Sequence, residues 1–264
     1  MNADRSLVPA VTRAVTVLDL LADATEPLGI SAIARELGLP KSSVANLCSV
    51  LVDEQLLRMR GGGYVLGSRL ARFGAAYLAG VDQVGLFLEA CDAQPGSRRE
   101  TAQLAQLGDG LDVVYLARRD GTEPVRLAST PGHALPATCT ATGKAMLASL
   151  PAAELATRLE GAGPLPRRTR HSIGSRRALV GELDAIRAEG VAYDRQEVIE
   201  GVVCVAVAMA SPVGEPPTAA SFTLLAPRAD PATLARLAGD LRAIASHVAV
   251  GLGATSPSAV GGAA

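Results

Sequence analysis

The stretch whose residue types and spacing most clearly carry chemistry lies between residues 30 and 49, ISAIARELGLPKSSVANLCS. Two short helices that cross tightly need a small residue at the crossing and a turn residue that tolerates positive φ. Ala34 supplies the first, and Gly38, four residues later, the second. Ile33, Leu37, Leu39, Val44 and Leu47 fill the space between the helices. The side chains left facing outward on the second helix are Lys41, Ser42, Ser43 and Asn46. Serines at a helix start can meet phosphate or base edges, and an asparagine can pair bidentately with adenine in the major groove. The following LRMRGGGYVL (57–66) reads as strand, glycine turn, strand, a wing whose Arg58 and Arg60 can reach phosphates. The plainer alternative is a helical hairpin with a polar outer face.

The charge distribution agrees with a DNA face. The 264 residues carry 25 Lys and Arg against 26 Asp and Glu, a net charge of −1, which excludes a polybasic nucleic-acid binder. Within residues 28–72, however, six basic residues face three acidic ones, so this segment carries +3 and the remainder −4. There is no Trp, and aromatic residues make up 3%, which argues against stacking on single strands. Hydrophobic residues at 48% are enough for a sizeable core.

A second set of candidates lies further along the chain. Thr140-Ala141-Thr142-Gly143-Lys144 precedes an apolar helix. Free N–H groups at a helix start favour an anion, and small side chains allow close approach, although a simply capped helix start explains the same residues. Asp194 follows a short strand, where an Asp is commonly a turn former. Cys204 lies in the apolar run 202–210, where a Cys is commonly a small core residue. Cys139 with His133 and an acidic residue would make a thiol hydrolase conceivable, but a Cys and a His six residues apart, with His171 and His247 isolated, support it weakly. The four cysteines, Cys48, Cys91, Cys139 and Cys204, contain no C-x-x-C pair, so neither a zinc site nor a disulfide framework is expected, and no cofactor or metal is implied.

The elements that must position these residues follow from periodicity. Residues 8–24 place Val11, Val15, Leu18 and Leu21 on one helical face, and Glu26-Pro27-Leu28-Gly29 breaks it. Ser31 suits an N-cap for a helix over 32–37, and Pro40 the first turn of a helix running to about Glu54. Residues 67–80 are helical in pattern, and 83–91 extend that helix as a linker. Strands are expected at 100–107, 111–118 and 124–129, helices at 142–149 and 151–160, and a loop over 161–174. Leu179, Leu183 and Ile186 mark a helix over 175–189. Strands near 191–194, 202–210 and 219–225 and a helix over 231–250 complete the pattern. The chain is therefore α+β: a winged helix-turn-helix unit over 8–67, a linker helix over 68–82, a larger α+β domain over 83–252 and a disordered tail over 253–264.

With these motifs in place, the sequence resembles the IclR family of bacterial transcriptional regulators across roughly residues 11–252. The resemblance runs through RAVTVLDLLAD (13–23), LGLPKSSVANL (37–47), GGYVLGSRL (62–70), RLASTPGHALPATCTATGKAMLASLP (126–151) and AIRAEGVAYDRQEVIEGVVCVAVAM (185–209). It implies a GAF-like effector domain with a mostly antiparallel sheet flanked by helices, and binding of operator DNA as a homodimer or homotetramer. It also implies a pocket for a small organic molecule, an organic acid or an aromatic metabolite, lined by Ala141, Thr142, Gly143, Asp194, Cys204, Thr223 and Leu225. Three departures stand out. Asn46 replaces an Arg found in many members, which implies a different operator. Arg98-Arg99-Glu100 makes the first strand after the linker more polar. Leu225 stands where some carboxylate-binding members have Ser, which implies a more apolar pocket and a bulkier or less oxidised effector.

The expected function is that of a transcriptional regulator, a repressor by preference, and not an enzyme. The alternative is a winged-helix module that binds proteins. The first ten residues lack an apolar signal core, and the longest apolar run, 202–210, is nine residues, so a cytoplasmic protein without a membrane partner is expected.

Overall fold

The computed structural model describes residues 7–125, 129–212 and 214–253, without the side chains of 96 and 97. The chain divides after Gly80 into two compact units.

The first unit contains α1 (Pro9–Asp23), α2 (Ile30–Leu37), α3 (Lys41–Asp53), the hairpin β1 (Leu57–Arg60) and β2 (Gly63–Leu66), and α4 (Arg69–Ala79). Val17 and Leu21 of α1 meet Ile33, Ala34, Val44, Cys48, Leu51 and Leu57 in one core. Each large aliphatic side chain so buried contributes about 1.5–3 kcal/mol. Gly38 closes α2 at φ 64, and the Leu39 N–H bonds the Ala34 carbonyl at 3.0 Å, so the turn needs the left-handed conformation that glycine takes without strain. The start of α2 differs from expectation. Gly29, not Ser31, is the N-cap, and Ser31 is exposed inside the helix. The cause is tertiary: Leu28 exchanges two backbone hydrogen bonds with Tyr64 of the wing, at 3.1 and 2.9 Å, which fixes the entry to the helix. Pro40 likewise sits just before α3, as its N-cap.

The second unit contains α5 (Asp82–Ala93), a short α6 (Pro95–Arg99), β3 (Thr101–Leu107), β4 (Asp112–Arg119) and β5 (Ala134–Pro136). Then come α7 (Ala141–Ser149), α8 (Ala152–Gly161), α9 (Arg176–Glu189), β6 (Ala192–Arg195), β7 (Val202–Met209), β8 (Thr218–Leu225) and α10 (Pro231–Gly251). The six strands form one sheet in the order β5-β4-β3-β8-β7-β6, and every neighbouring pair is antiparallel. Both faces are covered. Ala105, Leu107, Ala206 and Ala219 join a core with Met146 and Leu147 of α7 and Leu179 and Leu183 of α9. Side chains of the other parity, among them Val205, Phe222 and Leu224, are also buried, and α10 packs on β7, β8 and α5.

Three expectations change here. Residues 83–91 do not prolong the linker helix, because the chain breaks at Gly80-Val81 and α5 starts anew. The third strand is β5, paired with β4; residues 124, 125 and 129 lie in no strand, and 126–128 lie outside the described residues. The polar triplet Arg98-Arg99-Glu100 precedes β3, which begins at Thr101 and lies inside the sheet between β4 and β8. The expected tail, beyond Gly253, is outside the described residues.

Candidate functional site

In the first unit, α3 turns Val44, Cys48 and Leu51 inward and leaves Lys41, Ser42, Ser43 and Asn46 exposed. On β1, Leu57 is buried, so alternation puts Arg58 and Arg60 on the other face, and both are exposed. Among the described residues Lys41, Arg58 and Arg60 make no ion pair, whereas Arg69 is held by Glu54 and lies over the Phe73 ring. All six side chains picked from the sequence thus lie on exposed surfaces of α3 and β1. Such a surface can offer hydrogen-bonding groups to a groove and unneutralised cations to phosphates.

In the second unit, a cavity of about 70 Å³ opens between α7 and the sheet. Ala141 and Thr142 come from α7, Asp194 from β6, Cys204 from β7 and Thr223 from β8, and all five line it. The register explains the convergence: Asp194 is paired with Cys204, and Cys204 with Thr223, so the three form one row across adjacent strands. Gly143 supports the site without lining it. A Cβ there would stand 2.3 Å from the Ala137 Cα and carbonyl oxygen, so only glycine lets the start of α7 approach so closely. Its N–H donates to Thr140 Oγ1 at 3.0 Å, which caps the helix. Leu225 is a correction. It lies at the end of β8, 48% exposed, beyond the lining, so it carries no inference about pocket polarity or effector size.

The polar groups of the cavity are tied together. Cys204 Sγ lies 3.3 Å from Thr223 Oγ1, Thr223 donates to Gln103 Oε1 at 2.8 Å, and Gln103 Nε2 donates to the Ser129 carbonyl at 2.7 Å. Because the Thr223 proton goes to Gln103, the Cys204 thiol is the donor in its own contact. Burial pushes the Cys204 thiol up, so it stays protonated and is no nucleophile. Asp194 Oδ1 accepts the Glu197 N–H at 2.6 Å. Burial pushes the Asp194 carboxyl up from 3.8 to about 7, against the lowering effects of that hydrogen bond and of Lys144. Thr142 Oγ1 is buried beside the Tyr115 phenol and completes no well-formed hydrogen bond. Arg168 adds an exposed cation to the lining.

Cys139 does not line the cavity. Its Sγ donates to the Pro166 carbonyl at 3.2 Å, and burial pushes the thiol up. The His133 ring pairs with Ser129 Oγ at 3.1 Å, and among the described residues no hydrogen bond joins it to Cys139. Among the described residues no group of three or more His, Cys, Asp or Glu could hold a metal ion, and no helix is long and apolar enough to cross a membrane. Sequence reasoning missed Gln103 and Lys144. The signal was partial: Gln103 sits among the apolar residues of TAQLAQL and Lys144 is the one charged residue of ATGKAMLAS.

Known proteins show the same pair of units. Residues 10–61 match the family model described as IclR helix-turn-helix domain, and residues 96–250 that described as Bacterial transcriptional regulator IclR C-terminal. The chain is 31% identical over 243 residues to the HTH-type transcriptional regulator XynR of Escherichia coli K12, covering 89% of this chain and 94% of XynR. It is 28% identical over 249 residues to the HTH-type transcriptional repressor AllR of Klebsiella pneumoniae, covering 92% of this chain and 90% of AllR. A crystal structure of an IclR homologue from Microbacterium hydrocarbonoxydans, complexed with 4-hydroxybenzoate, superposes with a TM-score of 0.71 at 23% identity, over 91% of this chain and 99% of that one. The relatives are transcriptional regulators, and both halves of the chain match in the same order. With its helix-turn-helix unit and its C-terminal sheet domain, the chain belongs to the IclR family of bacterial transcriptional regulators.

Proposed function

We propose that this protein represses transcription by binding an operator through α3 and the wing, and that a small organic effector in the α7–sheet cavity changes that binding. In this reading residues 8–67 are the DNA-binding domain, 68–82 the linker, which carries α4, and 83–252 the effector domain of a cytoplasmic regulator. Lys41, Arg58 and Arg60 hold phosphates, Ser42 and Ser43 meet phosphate or base edges, and Asn46 reads a base. Ala141, Thr142, Asp194, Cys204 and Thr223 face the effector. The observation that carries the reading is the convergence of these five side chains, from four separate elements, on one cavity. Its mixed lining, apolar at Val198, Ile199 and Val202 and polar at Gln103, Asp194 and Arg168, suits a molecule with an apolar body and polar ends. The protein acts as a homodimer or tetramer, which puts two recognition helices on a pseudo-palindrome; α4 leaves Phe73 and Tyr77 exposed for such a contact.

The test is a gel shift on the DNA upstream of the gene, at rising salt, with and without added small acids, 4-hydroxybenzoate among them. A specific shift that weakens steeply with salt, and that one compound alters, supports the proposal. Failure to shift any specific fragment favours a protein-binding module instead.

A further inference from the structure

Lys144 has no part in the roles given so far. It lies two residues after Thr142, in the middle of α7, and its side chain is 1% exposed. Its ammonium reaches Glu197 Oε1 at 2.5 Å and Glu182 Oε1 at 3.2 Å. Glu197 is itself buried, and its Oε2 makes no hydrogen bond. A buried ion pair is expensive to desolvate, and apolar residues of the same size often serve stability as well or better. The place of this pair suggests another role. The Glu197 N–H donates to Asp194, and the Glu197 carbonyl accepts from Ser172 Oγ at 2.7 Å. Val198 and Ile199, next in the chain, are cavity lining. Gln196, just before, adopts φ 68 without being glycine, and is held there by Thr169 Oγ1 on its carbonyl and by the Gly201 N–H on its Oε1. One ion pair therefore pins to α7 the strained segment that both walls the cavity and aims its carboxylate.

We propose that Lys144 and Glu197 are a positioning pair for the ligand cavity, holding the 195–201 wall in place and orienting Asp194 through the main chain of Glu197. This rests on the reading of the cavity as the effector site. The groups that face Glu197 are Lys144 from α7, Glu182 from α9, Asp194 and Arg195 from β6, and the thiols of Cys139 and Cys204. Lys144 and Arg195 are the cations among them, and Arg195 is exposed and turned toward Glu182 at 3.6 Å. Without Lys144, Glu197 stays in place only when it takes up a proton; ionised, it leaves for water and takes the wall with it.

The experiment is peptide-resolved hydrogen exchange on the full chain at pH 6 and pH 8, with protection corrected for intrinsic rates. In Lys144→Met, protection over 195–201 is expected to fall at least about tenfold at pH 8 and less at pH 6, while β3 and β8 keep theirs. Lys144→Met combined with Glu197→Gln removes both charges, so it should leave a smaller loss over 195–201 that no longer depends on pH. If Lys144→Met alone does not fold, the double variant decides: lowered protection of the wall, with β3 and β8 keeping theirs, supports the pair. An unfolded double variant, parent-like protection of its wall, a loss in Lys144→Met equal at both pH values, or a loss shared by β3 and β8 overturns it. The readout needs no ligand, so it fails or succeeds separately from the effector reading, which ligand binding tests.

Discussion

Replacing Asp194 with Asn tests the electrostatics of the cavity directly. The carboxyl is 3% exposed, and burial lifts it from 3.8 to about 7. A shift of about three units at about 1.4 kcal/mol each amounts to roughly 4 kcal/mol between the two protonation states. The folded-state value lies above the unfolded one, so the native protein binds this proton more tightly. The resulting stability is fully present below about pH 4, is lost as the pH rises to about 7, and changes little beyond. Asn keeps an oxygen to accept the Glu197 N–H and cannot ionise. The stability of Asp194→Asn relative to the parent should therefore grow by about 2–3 kcal/mol between pH 5 and pH 8. Glu197, also pushed up by burial, couples to the same proton and broadens the step. Because a chain of two compact units need not unfold in one step, the assay is urea unfolding read from peptides of residues 81–264 by hydrogen exchange. A difference between variant and parent that stays constant from pH 5 to pH 8 would refute the reasoning.

Other outcomes follow from the same structure. Gly143→Ala drives a Cβ into the Ala137 backbone at 2.3 Å, and urea denaturation should show a loss of about 1–3 kcal/mol or more. Leu183→Ala empties a fully buried position under the sheet and should cost about 2–5 kcal/mol in the same measurement. Asn46→Ala should cost about 1–3 kcal/mol at one operator position and relax preference there, read by competition between base-substituted operators. Lys41→Ala and Arg60→Ala should weaken binding to all sequences and each lower the salt slope by about one. Leu225→Ser should leave ligand affinity unchanged, since this residue is exposed beyond the cavity lining.

What the sequence by itself determined about this protein is local. Helix-turn-helix spacing, the two-residue hairpin turn at Gly61-Gly62 and the αL stop at Gly38 depend on neighbours a few residues away, so residue types alone locate them. The apolar stripe of α9 and the buried run of β7 are legible for the same reason. The resemblance in turn brought together Asp194, Cys204 and Thr223; spacing alone left Asp194 as a turn former and Cys204 as a core residue, and did not single out Thr223. Tertiary structure decided the rest, because the causes are distant in the chain. The start of α2 is set by a bridge to Tyr64, not by Ser31. Strand β3 finds β8 as its neighbour, and so Gln103 meets Thr223 across 120 positions of sequence. Lys144 meets Glu197 across 53. No periodicity encodes such pairings; they exist only once the sheet has set its register and α7 has closed over it, where a buried polar group must find its partner or leave the core.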